Sequence, residues 1–162
     1  MKHLFLAVIL LFSVGKAFTQ SKATINTNLN NGATMTVKLD VLWLNSDNHE
    51  FVNTNKNGDP KKYYAIVKFG LNSFNLQVFE ASTNKLVAAM YPNYLKEHPF
   101  SLSNNSAGLN LSINYEGDEI KISFSFADSG ATLLKAVVTM LYKNPVTNKI
   151  DFVFNGLQTY LY

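Results

Sequence analysis

Leu109-Asn110-Leu111-Ser112-Ile113-Asn114-Tyr115, then Glu116-Gly117-Asp118, then Glu119-Ile120-Lys121-Ile122-Ser123-Phe124-Ser125-Phe126: this stretch decides the fold. On either side of the central triplet, apolar and polar residues alternate. Successive side chains on a strand point to opposite faces, so each segment has one apolar and one solvated face. Glu116-Gly117-Asp118 supplies turn chemistry between the two segments, and Asp128-Ser129-Gly130 supplies it again before the next apolar run. The pattern is that of an antiparallel meander.

The same pattern extends outward in both directions. After Gly130, residues 131–142 are apolar on both faces, with Leu133, Val137 and Leu141 on one and Leu134, Val138 and Met140 on the other. The Val137-Val138-Thr139 run favours strand over helix, and a strand of that kind is buried on both sides. Asn144 to Asn148 turns the chain, and residues 149–162 close it. Upstream, residues 61–70, 74–81 and 85–91 read as three more strands. Residues 93–98 form one helical turn between Pro92 and Pro99, the only helix expected after the leader, and residues 100–103 form a short strand. Residues 33–44 are strongly alternating, with Met35, Val37, Leu39, Val41 and Trp43 on one face. Leu42 and Leu44 interrupt the polar face near the end of that strand, which implies cover on both sides there. Residues 22–30 alternate weakly before a tight turn at Asn30-Asn31-Gly32. The expectation is an all-β fold, a single antiparallel meander of about nine or ten strands, arranged as an up-and-down barrel or a two-sheet β-sandwich.

Residues 1–19 stand apart. Lys2 and His3 precede an apolar run from Leu4 to Val14, and Ala17 and Thr19 are small residues suited to cleavage before Gln20. This resembles a bacterial secretory signal peptide. The run is about eleven residues, well short of the roughly twenty that a spanning helix needs. The expected organisation is therefore a cleaved leader, 1–19, and one all-β domain, 20–162, secreted or periplasmic. The chain has no cysteine, which removes disulfides, thiolate nucleophiles and cysteine zinc sites together. All fourteen basic residues are lysines. Arginine is the usual bidentate reader of phosphate and guanine, so nucleic acid is not an expected partner. Cleavage takes Lys2 and Lys16 away and leaves twelve lysines against eleven acidic residues, a net of +1 that attracts no particular partner.

Chemistry is sparse. His49 and His98 are expected in loops, beside no nucleophile elbow and in no metal-binding pair. The strand-borne acids Asp40, Glu80, Glu119 and Asp151 form no evident pair for glycoside chemistry. The long polar segment bounded by Asn45 and Pro60 reads as a loop. Within it, Asn53 to Asp59 resembles the first half of a calcium loop. Asn53 replaces the leading aspartate, however, and Tyr64 stands where the bidentate glutamate belongs. No catalytic residue, metal ligand or cofactor is assigned. Tyr91, Tyr94 and Phe100 flank the excursion from Pro92 to Pro99, as a lid or sugar-stacking platform or as a cluster sealing one end of the core.

The leading expectation is a non-enzymatic binding or interaction module for a small apolar ligand, a glycan or a protein surface. A cavity for an internal ligand would lie between Trp43, Phe69, Phe124 and Phe154. One alternative is a small outer-membrane barrel, because the terminal Tyr160-Leu161-Tyr162 is similar to the aromatic closing strand of such proteins. A second is a hydrolase whose site is assembled from distant residues. The leader is testable directly: intact mass and amino-terminal sequencing of the exported protein should give a chain starting at Gln20, and a chain retaining Leu4 to Val14 would show an uncleaved anchor.

Overall fold

The computed structural model describes residues 20–46, 49–52, 62–127, 129–144 and 146–159. The fold is all-β, as the alternation requires, with one α-helix and ten strands among the described residues. Helix α1 spans Lys22–Asn30. The strands are β1 (Met35–Ser46), β2 (His49–Val52), β3 (Tyr63–Gly70), β4 (Ser73–Glu80), β5 (Leu86–Met90), β6 (Ser101–Asn105), β7 (Gly108–Tyr115), β8 (Asp118–Phe126), β9 (Leu133–Lys143) and β10 (Ile150–Thr159). Every pairing is antiparallel, and one sheet runs β5-β4-β3-β1-β10-β9-β8-β7-β6, with β2 pairing the second half of β1. The first and last long strands thus meet in the centre of the sheet, and the edges are β5 and β6.

The decisive stretch folds as expected. Tyr115 pairs with Asp118 across a two-residue turn, and both turn residues have positive φ (Glu116 51°, Gly117 95°). That is the primed turn whose twist matches the flanking strands. Along β8 the buried apolar residues are Ile120, Ile122 and Phe124, and on β7 their partners Ile113, Leu111 and Leu109 line the same face.

One face of the sheet is buried from β4 through to β7, and the sheet curls so that this face encloses the core. Phe69 on β3 and Phe124 on β8 are separated by three intervening strands, yet their ring centroids lie 5.9 Å apart. The segment between β5 and β6 crosses from one edge to the other through a 3-10 turn at Asn93–Lys96. It inserts Leu95 and Phe100 into the core, and the Phe100 N–H donates to the Leu71 carbonyl at 2.8 Å. Phe100 also meets Phe74 edge-on, with centroids 6.2 Å apart.

Three expectations need correction. Residues 22–30 are helical, so the 3-10 turn is not the only helix after residue 19. Ile25 and Leu29 are four apart, a spacing that shares a face in a strand and in a helix alike. Ser21 decides for the helix: its Oγ accepts the Thr24 N–H at 3.1 Å, and Gly32 (φ 79°) donates to the Leu29 carbonyl at the other end. The helix seals one end of the core with Ile25 and Leu29. Lys22 ties it to two strand connections, its N–H to the Gly130 carbonyl at 2.8 Å and its Nζ to the Asn105 carbonyl at 2.9 Å.

The second correction concerns 45–60. Asn45 and Ser46 continue β1, and β2 lies inside the expected loop, pairing His49 to Val52 with Ser46 to Trp43. The third concerns the end of β1. Its register against β10 shifts between Val41 and Trp43, so Leu42 is an extra residue and the alternation reverses beyond it. Leu44 enters the core, fully buried, while Trp43 moves to the outer face. The Leu42-Trp43-Leu44 run is therefore a bulge rather than a doubly covered strand. A shift between Ser125 and Phe126 does the same near Leu134, leaving Leu133, Ala136, Val138 and Met140 inward and Val137 and Leu141 half-buried outside.

Gly156 shows how tightly the centre is filled. A Cβ there would lie 2.6 Å from Cζ of the buried Phe154 ring and 3.1 Å from Cβ of Leu39. Gly156→Ala is expected to cost about 1–3 kcal/mol by overpacking. Phe124→Ala is expected to cost about 3–5 kcal/mol by leaving a cavity against Phe69. Urea unfolding midpoints check both, and an unchanged midpoint for Phe124→Ala would show that the inner and outer faces are reversed.

Candidate functional site

With the inner face filled, the outer face of the central strands carries the site. Register places one residue from each of six strands in a single row: Trp43, Asn155, Thr139, Lys121, Ser112 and Ser101. A second row beside it holds Asn45, Val153, Leu141, Glu119 and Asn114. Two adjoining grooves run over these rows. One, about 390 Å³, lies against Trp43, Asn155, Val153 and Leu141. The other, about 670 Å³, lies against Lys121, Ser112, Ser101 and Asn114 and is walled by Glu97, His98, Pro99 and Tyr115. Glu119 and Thr139 line both, so the grooves meet over β8 and β9.

The far wall is built by the connection between β5 and β6. Tyr115, the last residue of β7, stacks on Tyr94 at 4.9 Å and on His98 at 4.1 Å between centroids. The exposed His98 ring thus ends a three-ring stack at the groove rim. Beneath it lies Asp118, the one buried charged side chain among the described residues, whose Oδ1 accepts the Lys143 N–H at 2.8 Å. The Tyr94 hydroxyl is enclosed, and its interaction with Asp118 stops short of a well-formed hydrogen bond. Burial raises the Tyr94 pKa above the ordinary phenol range, and the negative charge of Asp118 raises it further. At the opposite end, Asn155 lines the groove beside Trp43 with an enclosed Oδ1 that has no hydrogen-bond partner among the described residues.

The residues singled out from sequence are dispersed. Phe69, Phe124 and Phe154 are core residues at most 1% exposed, and Trp43 has left them for the outer face, so the four do not surround a cavity. Tyr91, Tyr94 and Phe100 part company as well. Tyr91 is exposed and accepts from Gln77 Nε2 at 2.8 Å, Tyr94 joins the ring stack, and Phe100 is buried. His49 lies on β2 rather than in a loop. His98 lies in the β5–β6 connection, and among the described residues it makes a ring contact with Tyr115 and no hydrogen bond to a serine or carboxylate. Residues 53–59, the calcium-loop candidate, lie outside the described residues, as do Tyr160, Leu161 and Tyr162. Tyr64, the position compared with the bidentate glutamate, is on β3. It stacks on Phe79 at 5.3 Å, donates to Asn84 Oδ1 at 3.0 Å and carries Lys38 Nζ 4.1 Å from its ring centroid. Among the described residues, no three His, Cys, Asp or Glu side chains gather as a metal site.

What sequence reasoning missed was the outward Trp43. The signal was present, because four consecutive apolar residues, Val41 to Leu44, in an otherwise alternating strand are what a bulge leaves behind. No protein-family model, curated protein or solved structure matches the chain.

The Tyr94 environment has a pH consequence. The folded state holds the phenolic proton to higher pH than the unfolded chain does, so this residue leaves stability unchanged below about pH 10 and lowers it as pH rises beyond that. Tyr94→Phe should remove that part of the alkaline loss. It should also leave the neutral-pH urea midpoint equal or raised, because the enclosed hydroxyl forms no good bond. A clear loss of stability at neutral pH would show that the hydroxyl does donate to Asp118.

Proposed function

We propose that the protein is an exported, non-enzymatic binding module that takes its ligand on the outer face of the sheet, in the groove running from Trp43 to His98. The observation that carries this reading is the division between the two faces. The inner one is filled, with Phe69 against Phe124 and the Phe154 ring against Gly156, and it offers no room beside these residues for a small apolar guest. The outer one holds two adjoining grooves whose lining mixes aromatic rings, amides, hydroxyls and charges. Recognition sites have this makeup: apolar surface for contact and a few polar groups for orientation.

The outer-membrane alternative demands the opposite arrangement. A membrane barrel turns its apolar residues toward lipid. Here the outward positions carry Lys38, Lys68, Lys121 and Lys135, all exposed, and lysine near the bilayer midplane costs about 2–4 kcal/mol.

A chemical-shift screen of the isotopically labelled protein tests the proposal, using soluble oligosaccharides, fatty acids and short peptides as probes. Shifts confined to amides of β1, β10, β9, β8 and β7 around the row are expected. Shifts of the core residues around Phe69 and Phe124 on adding fatty acid, with the outer row silent, would return the ligand to the interior and overturn the reading.

A further inference from the structure

Resting on that reading, we infer that the ligand is a neutral β-linked oligosaccharide lying across the strands, with its end units stacked on Trp43 and on the His98–Tyr115 rings. Four observations converge on this class.

The first is the order of side chains along the groove. An aromatic ring stands at each end, and Asn155, Thr139, Lys121, Glu119 and Ser112 lie between them. A pyranose has the same two characters, flat C–H faces that pack on an aromatic ring and a rim of hydroxyls that both donate and accept. Lysine supplies donors only, carboxylate acceptors only, and amide and hydroxyl groups both. The interleaved set therefore matches hydroxyl rims and suits neither a purely acidic nor a purely apolar ligand.

The second is charge. Among the described residues, Lys121 is the one lysine lining the grooves, and Glu97 and Glu119 face the same space. A phosphate or polyanion would meet a site without excess positive charge, and binding of that kind depends on it.

The third is where the groove lies. It crosses β10, β9 and β8, whose backbone groups pair with a neighbouring strand on both sides. An extended peptide gains affinity mainly by adding a strand at a sheet edge. Here recognition falls to side chains, so a peptide loses its main source of binding.

The fourth is length. Trp43 to Ser101 is five inter-strand steps of about 4.8 Å, roughly 24 Å. One sugar ring cannot reach both aromatic ends, whereas a chain of several can. Stacking at both ends requires rings with equatorial substituents, which favours gluco- or xylo-configured chains over those with axial hydroxyls. The Asn155 amide beside Trp43, whose Oδ1 has no hydrogen-bond partner among the described residues, can turn about its soft terminal torsion to accept from a hydroxyl.

The test uses the full mature chain and a series of soluble β-linked gluco-oligosaccharides of increasing length, with the α-linked series as control. Trp43 is the chain's one tryptophan, so its fluorescence reports occupancy at that end directly. A fluorescence change with affinity rising along the β-linked series and levelling off once both ends are spanned is expected. By calorimetry, Trp43→Ala and His98→Ala should each weaken the longest ligand roughly tenfold. Trp43→Phe should retain most of the binding, and unchanged urea midpoints would show that the variants fold. Affinity independent of chain length, or indifferent to His98→Ala in a folded variant, would overturn the spanning geometry. No binding of any neutral saccharide, β-xylo-oligosaccharides included, while peptides or fatty acids still shift the outer row, would overturn the sugar class and leave the outer-face site standing. Silence of the outer row toward every probe would remove both.

Discussion

The pairing of β1 with β10 is the constraint on which the rest depends. It joins the first long strand to the last, and every other strand hangs from one of them: β2, β3, β4 and β5 from β1, and β9, β8, β7 and β6 from β10. A contact between strands so far apart in sequence closes a long loop, whose entropic cost grows only slowly with length. It does, however, delay folding until distant segments meet. The junction is accordingly dense, with Gly156 admitting the Phe154 ring against Leu39 and Leu44 filling the space beyond the bulge. The bulge at Leu42 is part of the same constraint. It keeps Leu44 inside while releasing Trp43 outward, so one extra residue completes the core and supplies the groove with its largest ring.

The two ends of the curled sheet are sealed by different chemistry. Helix α1 closes one with the apolar pair Ile25 and Leu29, backed by the bonds of Lys22 to two strand connections. The end holding Tyr115 and Asp118 is closed by a polar device, with Asp118 capping the Lys143 amide under the stack of Tyr94, Tyr115 and His98. The stack serves two surfaces at once. Its inner ring rests by the core and its outer ring, His98, stands at the rim of the groove. The same connection, between β5 and β6, contributes Leu95 and Phe100 to the core. Core residues and the groove wall are therefore built from one short segment.

The local period was the legible part of this protein. Alternation in β7 and β8, the Glu116-Gly117 turn and the strand breaks at glycine and asparagine all translate directly into backbone geometry. Two kinds of information were hidden. Helix α1 was hidden because Ile25 and Leu29 satisfy both periods, and a serine cap settled the matter. The face of Trp43 was hidden because alternation carries no memory across a bulge, and the residue that slips is defined by the partner strand rather than by its own neighbours. The groove could not be read at all from spacing, since Trp43, Asn155, Thr139, Lys121, Ser112 and Ser101 are scattered along the chain and become a row only through register.

Acrylamide quenching of native tryptophan fluorescence tests the central claim, that the bulge turns Trp43 to the outer face, because the signal comes from that residue alone. The account predicts quenching between that of a buried and a free indole, with an emission maximum shifted only modestly toward the blue, and a marked change in both when Leu42 is deleted to restore simple alternation. A native spectrum fully shifted to the blue and insensitive to acrylamide would place Trp43 in the core, and would contradict both the bulge and the groove built on it.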